Sequence, residues 1–162
     1  MTQLTQREKQ LLEQIGENST LLMLAIQLKN IPGWMAYKTV SDAGNDIILT
    51  RIHGTPKPGY KKKLLIEVKA RQLVFGSSAK NHSTFSLSIK ERNDSDFLIG
   101  YWFEHGDFFV VPKKILKPTY KKQTNQLSGY YFKASYDQNS NQYNPETSKF
   151  LNSWHLIFDK LK

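Results

Sequence analysis

The order of apolar and polar positions near the start of the chain predicts helical structure. Thr5 and Glu8 have the spacing of a capping box, which predicts that a helix begins there. Apolar residues then recur at helical spacing in two runs separated by Gly16. These runs predict two helices, the second beginning at residues 18–19 and ending at the Ile-Pro-Gly sequence of 31–33. One helix kinked at Gly16 is the alternative.

The middle of the chain has the short apolar runs that are typical of strands. Turn-forming Gly, Asn and Pro separate these runs, and 97–103 is apolar almost throughout, as in a strand buried on both faces. A polar stretch over 76–93 is predicted to contain a helix over 84–92, and residues 104–107 form a hairpin turn. The predicted strands cover residues 34–40, 46–52, 63–71, 97–103 and 108–111.

The composition changes after Pro118. Residues 119–144 are rich in Tyr, Asn, Gln and Ser, which predicts a long loop or an irregular β excursion. Asn144 and Pro145 then supply an N-cap and a proline at the first helical position, so a last helix is predicted over 145–162. Its apolar stripe consists of Phe150, Leu151, Trp154, Phe158 and Leu161. The whole chain of 162 residues is of a length typical of one domain.

Net charge narrows the range of partners. The chain has 23 Lys and Arg against 14 Asp and Glu, a formal charge of +9, which favours a polyanionic partner, nucleic acid before an anionic membrane surface. The longest apolar run, residues 21–26, is far too short to span a bilayer, and the start of the chain does not have the pattern of a secretory signal. We therefore expect a cytoplasmic protein. The sequence contains 0 cysteines, which excludes a disulfide or a thiolate zinc site.

Three charged residues in the predicted strands form a chemical pattern. Glu67 and Lys69 are two positions apart on a strand, so their side chains share one face, opposite Ile66. Asp46 opens the preceding strand and could lie beside Glu67 if the two strands form a hairpin. Two adjacent carboxylates repel each other unless a cation lies between them, and Mg²⁺ prefers such oxygen ligands. A bound Mg²⁺ with a lysine beside it is suited to phosphodiester hydrolysis.

These residues carry a resemblance to a known superfamily. Residues 44–49 (Gly-Asn-Asp-Ile-Ile-Leu) and 66–70 (Ile-Glu-Val-Lys-Ala) resemble the motif of the PD-(D/E)xK, or restriction-endonuclease-like, nucleases. Asn45 stands where that motif has a proline. The resemblance extends from about residue 16 to 111 and implies an α/β fold of the restriction-endonuclease-like type, in which helices flank a central mixed β-sheet.

The resemblance also implies an activity and a cofactor. A member of this superfamily would be a metal-dependent DNA endonuclease of the restriction, homing or junction-resolving type, using Mg²⁺ with Mn²⁺ as a possible substitute. Asp46 and Glu67 would bind the metal and Lys69 would assist catalysis. Many members carry a further acid on the first helix, and Glu17 is the candidate for that catalytic and metal-binding role, ahead of Glu13. The alternatives are a favourable helix-dipole charge for Glu17 and, for the protein, a non-catalytic DNA-binding module on a nuclease-like fold.

Basic residues cluster around this motif, and we expect them to contact DNA phosphates. The aromatic and amide-rich segment 119–144 could read base edges or form an oligomer contact. The expected DNA-binding residues are Arg51, Lys57, Lys61, Lys62, Lys63, Arg71, Lys113 and Lys114.

One such site cuts one strand, so a coordinated double-strand break requires a symmetric partner. We therefore expect a homodimer or a higher homo-oligomer. The expected interface is the last helix, with Phe150, Trp154 and Phe158, together with 119–144. The alternative interface is the N-terminal helical region with Leu11, Leu12 and Ile15.

Overall fold

One long helix and two β-sheets form the layers of the structure. The computed structural model describes residues 4–39, 45–55, 58, 61–72 and 80–161. Helix α1 (Gln6–Leu28) packs on one face of a five-stranded sheet, and its apolar side chains join those of that sheet in one core. The opposite face of this sheet packs against a four-stranded sheet around a second core.

The five-stranded sheet is mixed, and its spatial order is β1-β2-β3-β5-β6. Strands β3 and β5 are parallel, whereas the other neighbours are antiparallel. The predicted α/β class with a central mixed sheet flanked by helices is confirmed. The strands are β1 (Trp34–Lys38), β2 (Ile47–Arg51), β3 (Lys63–Arg71), β5 (Phe97–Trp102) and β6 (Asp107–Pro112).

The four-stranded sheet contains two segments whose structure differs from the prediction. The segment 84–92 is not one helix, because β4 occupies Lys80–Leu87 and α2 begins only at Ile89 and ends at Asp94. The segment 119–144 is also more regular than expected. It forms most of this sheet because alternate residues of β8, such as Phe132 and Ala134, point into the second core. The remaining strands are β7 (Lys117–Tyr120), β8 (Leu127–Asp137) and β9 (Gln142–Tyr143).

Helix α1 runs without a break through Gly16, so the prediction of two separate helices is wrong. Gly16 is buried, and a Cβ atom at this position would lie 2.8 Å from the Cβ atom of Ala70 on β3. The glycine therefore permits close helix–sheet packing and does not end the helix. Leu12 packs against the core, whereas Leu11 and Ile15 are exposed, so these three residues do not share one environment.

The C-terminal segment also differs from the prediction of one helix. It forms two short helices, α3 (Pro145–Ser148) and α4 (His155–Phe158), because its apolar residues serve two cores. Phe150 packs on the core between the sheets, whereas Trp154 and Phe158 are buried in the core under α1. The chain between them passes the edge of β6, where Leu151 pairs with Phe109.

This burial has a consequence for assembly. Trp154 and Phe158 are buried in the chain's own core and are not available to a partner. The expected interface on the last helix is therefore wrong. Among the described residues, the structure has no helix with the length and apolar character needed to cross a membrane.

Candidate functional site

A cleft of about 640 Å³ opens where the start of β2 meets the middle of β3. The N-terminal half of α1 forms one wall, and α2 contributes a side chain from the other side. Both acids of the sequence motif and its lysine face this cleft. Its charged lining consists of Glu13, Glu17, Lys38, Asp46, Glu67, Lys69 and Glu91.

Asp46 is fixed by the backbone of the neighbouring strand. Its carboxylate accepts a hydrogen bond of 2.7 Å from the Val68 amide, and its own amide donates to the Ile66 carbonyl at 3.1 Å. The antiparallel register of β2 and β3 thereby places Asp46 beside Glu67, as the hairpin hypothesis requires. Burial raises the pKa of Asp46 above its ordinary value, although the hydrogen bond from Val68 opposes this.

Glu67 is the most deeply placed acid of the motif. The residue is only 4% exposed, and its Oε1 accepts a hydrogen bond of 2.7 Å from the Lys69 ammonium. Burial, followed by repulsion from Asp46, raises the pKa of Glu67 to about 8. Lys69 therefore offsets only part of the cost of placing two carboxylates side by side.

Lys69 lies between two carboxylates on the cleft side of β3. Its Nζ atom is 2.7 Å from Glu67 and 2.8 Å from Glu91. Burial opposes the charged form, but the two carboxylates outweigh it and raise the pKa of Lys69 above its ordinary value. The lysine is therefore a fixed positive charge at neutral pH and is not suited to act as a base.

Sequence reasoning missed Glu91. This residue closes a capping box with Ser88 at the start of α2 and also reaches Lys69. Although burial opposes ionisation, hydrogen bonds from Lys69 and from the Ser88 amide lower the pKa of Glu91 to about 2. The Ser-x-x-Glu spacing of residues 88–91 was the available signal for the cap, but the contact with Lys69 arises only from the fold.

Glu17 faces the same cleft from α1. Its carboxylate forms an ion pair of 2.6 Å with Lys38 at the end of β1. Sequence reasoning also missed Lys38, which lacks a local motif and lies far from Glu17 along the chain. Glu13, the second candidate on this helix, also lines the cleft.

The donor groups are compatible with a hard divalent cation held by two carboxylates. Within the described part of the chain, no three carboxylate or imidazole groups are arranged to share one ion. Mg²⁺ is commonly bound through one or two carboxylates and keeps several waters, so Asp46 and Glu67 would suffice. Burial and the neighbouring Asp46 carboxylate raise the pKa of Glu67, and a cation bound between the two carboxylates would favour their charged forms.

Three of the expected DNA-binding lysines lie together beside the acidic cleft. Lys61, Lys63 and Lys113 line an adjoining cleft of about 470 Å³, and Asn45 borders both clefts. Lys61 also forms an ion pair with Asp96. Lys63 lies an even number of positions before Glu67 and Lys69 and therefore shares their face of β3.

The other expected DNA-binding residues are not brought to this cleft. Arg51 lies at the opposite end of β2 from Asp46 and donates to the His53 carbonyl at 3.0 Å. Arg71 donates to the Thr84 carbonyl at 3.1 Å and thereby connects β3 to β4. Burial lowers the pKa of its guanidinium. Lys62 and Lys114 are exposed, and Lys57 lies outside the described residues.

Compared with known protein families and with curated proteins, the chain matches none. Among solved structures, it is similar to a bacterial homing endonuclease, I-Ssp6803I, with a TM-score of 0.59 and 18% sequence identity. The match covers 93% of this chain and 93% of that chain. At this identity the similarity shows the fold, and the chain therefore has a nuclease-like fold.

Proposed function

We propose that the protein is a Mg²⁺-dependent endonuclease that hydrolyses phosphodiester bonds in DNA, and that it belongs to the PD-(D/E)xK superfamily. The observation that carries the proposal is the adjacency of two carboxylates, the half-buried Asp46 and the buried Glu67, beside a lysine that stays charged. All three groups face an open cleft. The nuclease-like fold supports the proposal but does not by itself specify an activity.

Asp46 and Glu67 are the residues that would hold the cation. When bound, Mg²⁺ would polarise a phosphoryl oxygen and neutralise the negative charge that develops there. The hydrogen bond from the Val68 amide fixes the Asp46 carboxylate, so this group is oriented before substrate arrives. The contact between Lys69 and Glu67 holds the second carboxylate in the same way.

Lys69 would stabilise charge on the phosphate. Its ammonium lies on the cleft side of β3 and is fixed between Glu67 and Glu91. A fixed positive charge in a partly buried cleft stabilises a developing oxyanion more strongly than the same charge in water. Glu91 is a positioning residue in this proposal, because it acts through Lys69.

The adjoining cleft suggests a path for the DNA backbone. Lys61, Lys63 and Lys113 line it, and it adjoins the acidic cleft at Asn45. Lysines in such a position would contact phosphates and hold the scissile bond near the carboxylates. Arg71 is less suited to this role because it lies at the opposite end of β3 from Lys63 and does not line this cleft.

A cleavage assay tests the proposal. Supercoiled plasmid, linear duplex and four-way junction DNA are each incubated with the protein in Mg²⁺, in Mn²⁺ and in EDTA. We expect cleavage of at least one substrate with a divalent cation and none in EDTA. Glu67→Gln should abolish cleavage, and the control Glu104→Gln, in the exposed turn after β5, should retain it.

Two outcomes would contradict the proposal. Cleavage by the Glu67→Gln variant at the wild-type rate would remove Glu67 from the site. Tight binding of all three DNAs without cleavage in either metal would favour the alternative, a DNA-binding module on a nuclease-like fold.

A further inference from the structure

Asn45 lies at the border between the acidic cleft and the adjoining lysine-lined cleft, and it lines both. The residue is only 9% exposed. Its side-chain oxygen, Oδ1, is buried, yet none of the described residues donates a hydrogen bond to it. A buried amide oxygen without a donor is costly, and native proteins contain few such groups. The position of Asn45 therefore points to a ligand that the protein chain does not itself supply.

The backbone around Asn45 is held in place, so its side chain is a fixed part of the cleft wall. The Asn45 carbonyl accepts a hydrogen bond from the Thr39 hydroxyl. The next residue, Asp46, donates from its amide to the Ile66 carbonyl at 3.1 Å and accepts from the Thr39 amide at 2.9 Å. A movement of Asn45 away from the two clefts would break these bonds.

The unpaired atom is a hydrogen-bond acceptor, which limits the chemistry of its ligand. A phosphate oxygen is also an acceptor and would be repelled by Oδ1. A cation, or a water molecule bound to a cation, has the complementary character. Asp46 and Glu67 line the same cleft and already favour a divalent cation there. Carbonyl oxygens, like carboxylates and water, suit hard cations such as Mg²⁺ and Mn²⁺.

We propose that Asn45 is part of the divalent-cation site, and that its Oδ1 atom accepts a hydrogen bond from a water molecule bound to the cation. This inference rests on the proposed function, because it requires a cation at Asp46 and Glu67. Mg²⁺ held by one or two carboxylates keeps several waters, and these waters donate to nearby oxygens. A proline, which the resembled motif has at this position, lacks a side-chain oxygen, so the contact is particular to this chain.

Metal titrations without DNA test the role of Asn45. Binding of Mn²⁺ is followed by the EPR signal of the free ion, and binding of Mg²⁺ by calorimetry. Asn45→Ala should weaken the binding of both ions about tenfold, an effect typical of groups that hold metal-bound water. Asn45→Asp keeps an acceptor and adds a negative charge, so it should bind both ions about tenfold more tightly. The control Asn125→Asp has the same charge change in the exposed connection between β7 and β8 and should keep the wild-type affinity.

Thermal denaturation separates this role from a purely structural one. In EDTA, Asn45→Ala should unfold close to the Tm of the wild type, because the variant loses an oxygen that has no partner in the folded chain. Addition of Mg²⁺ should raise the Tm of the wild type by more than that of Asn45→Ala, since a ligand stabilises the folded state that binds it. A purely structural asparagine would lower the Tm equally under both conditions, and that result would overturn the proposal.

The titration of Glu67→Gln distinguishes this proposal from the proposed function. If the wild type binds the ions, Glu67→Gln does not, and Asn45→Ala binds as tightly as the wild type, the role of Asn45 is overturned while the metal site stands. Weaker binding by Asn45→Asp would also overturn it, because the cation would then not face an acceptor at this position. If the wild type binds neither ion, the proposed function and the role of Asn45 both fail.

Discussion

The two faces of β3 have different surroundings and serve different purposes. The even-numbered residues Leu64, Ile66, Val68 and Ala70 are buried under α1 in the helix-side core. The odd-numbered residues Glu67, Lys69 and Arg71 face the opposite side, where α2 and the second sheet cover the strand incompletely. One strand thus has a packing face and a chemical face, because successive side chains of a strand point to opposite sides of the sheet.

The difference between the two faces lets the fold hold the Glu67 carboxylate at a buried position. The apolar face anchors β3 firmly, so its backbone can fix Asp46 through the Val68 amide. On the other face, Glu67 is 4% exposed but borders a cleft that water and ions can enter. Stability and chemistry should therefore respond separately to substitutions on the two faces.

The largest expected effect is on the chemical face. Lys69→Ala should lower the cleavage rate by about 10³-fold, because it removes the fixed charge that would stabilise the phosphate oxyanion. Binding should change little, since most DNA affinity comes from other phosphate contacts. Single-turnover cleavage and a filter-binding assay measure the two quantities. A parallel loss of binding and cleavage would show that Lys69 serves binding instead.

The packing face should give the opposite result. Leu64→Ala leaves a cavity under α1 and should lower the free energy of unfolding by about 3 kcal/mol, or the Tm by roughly 10 °C. Cleavage well below the Tm should stay close to that of the wild type. Thermal denaturation together with the cleavage assay checks both parts. Loss of cleavage from a folded Leu64→Ala variant would mean that the two faces are coupled.

A smaller effect is expected from the lysines beside the cleft. The double variant Lys61→Ala/Lys63→Ala removes two phosphate contacts, so the slope of log K against log salt should become shallower by about 1.8. The variant Lys149→Ala/Lys160→Ala has the same charge change at exposed positions near the C-terminus and should keep the wild-type slope. Equal slopes for both variants would place the DNA elsewhere.

The smallest expected effect concerns the pH dependence of stability. The pKa of Glu67 is raised to about 8, so its contribution to stability is greatest below about 4.5 and is lost as the pH rises through 8. In EDTA, Glu67→Gln should remove this loss and raise the Tm at pH 9. The pKa of Glu91 is lowered to about 2, so Glu91→Gln should instead remove stability that is present at neutral pH. Thermal denaturation across this pH range measures the Tm change of each variant. Tm changes of the same sign in the two variants would contradict the opposite pKa directions of Glu67 and Glu91.

Much of the central sheet was predictable because short-range pattern determines it. The boundaries of β3 match the prediction, since alternating residues around Glu67 specify a half-buried strand. The hairpin between β5 and β6 was predicted from its turn residues, and Gly106 there adopts a φ of 66°. The pairing of Asp46 with Glu67 followed from the antiparallel order of two neighbouring strands.

Other features were decided by contacts between residues far apart in the sequence. Glycine commonly ends a helix, so the local pattern predicts a helix end at Gly16, but its spatial neighbour Ala70 makes it a packing position. The C-terminal segment kept helical spacing of apolar residues, yet those residues are divided between two cores. The order of 119–144 depends on β4, which lies far before it in the chain.

The sequence by itself determined the chemical groups, the alternation that puts Glu67 and Lys69 on one face, and the positive charge of the chain. Only the tertiary structure decided that Glu91 and Lys38 join the site, that Arg51 lies away from it, and that Asn45 is buried at the border of two clefts. The physical reason is the range of the interactions. Strand alternation and helix caps depend on residues a few positions apart, whereas burial and ion pairs depend on which surfaces the folded chain brings together.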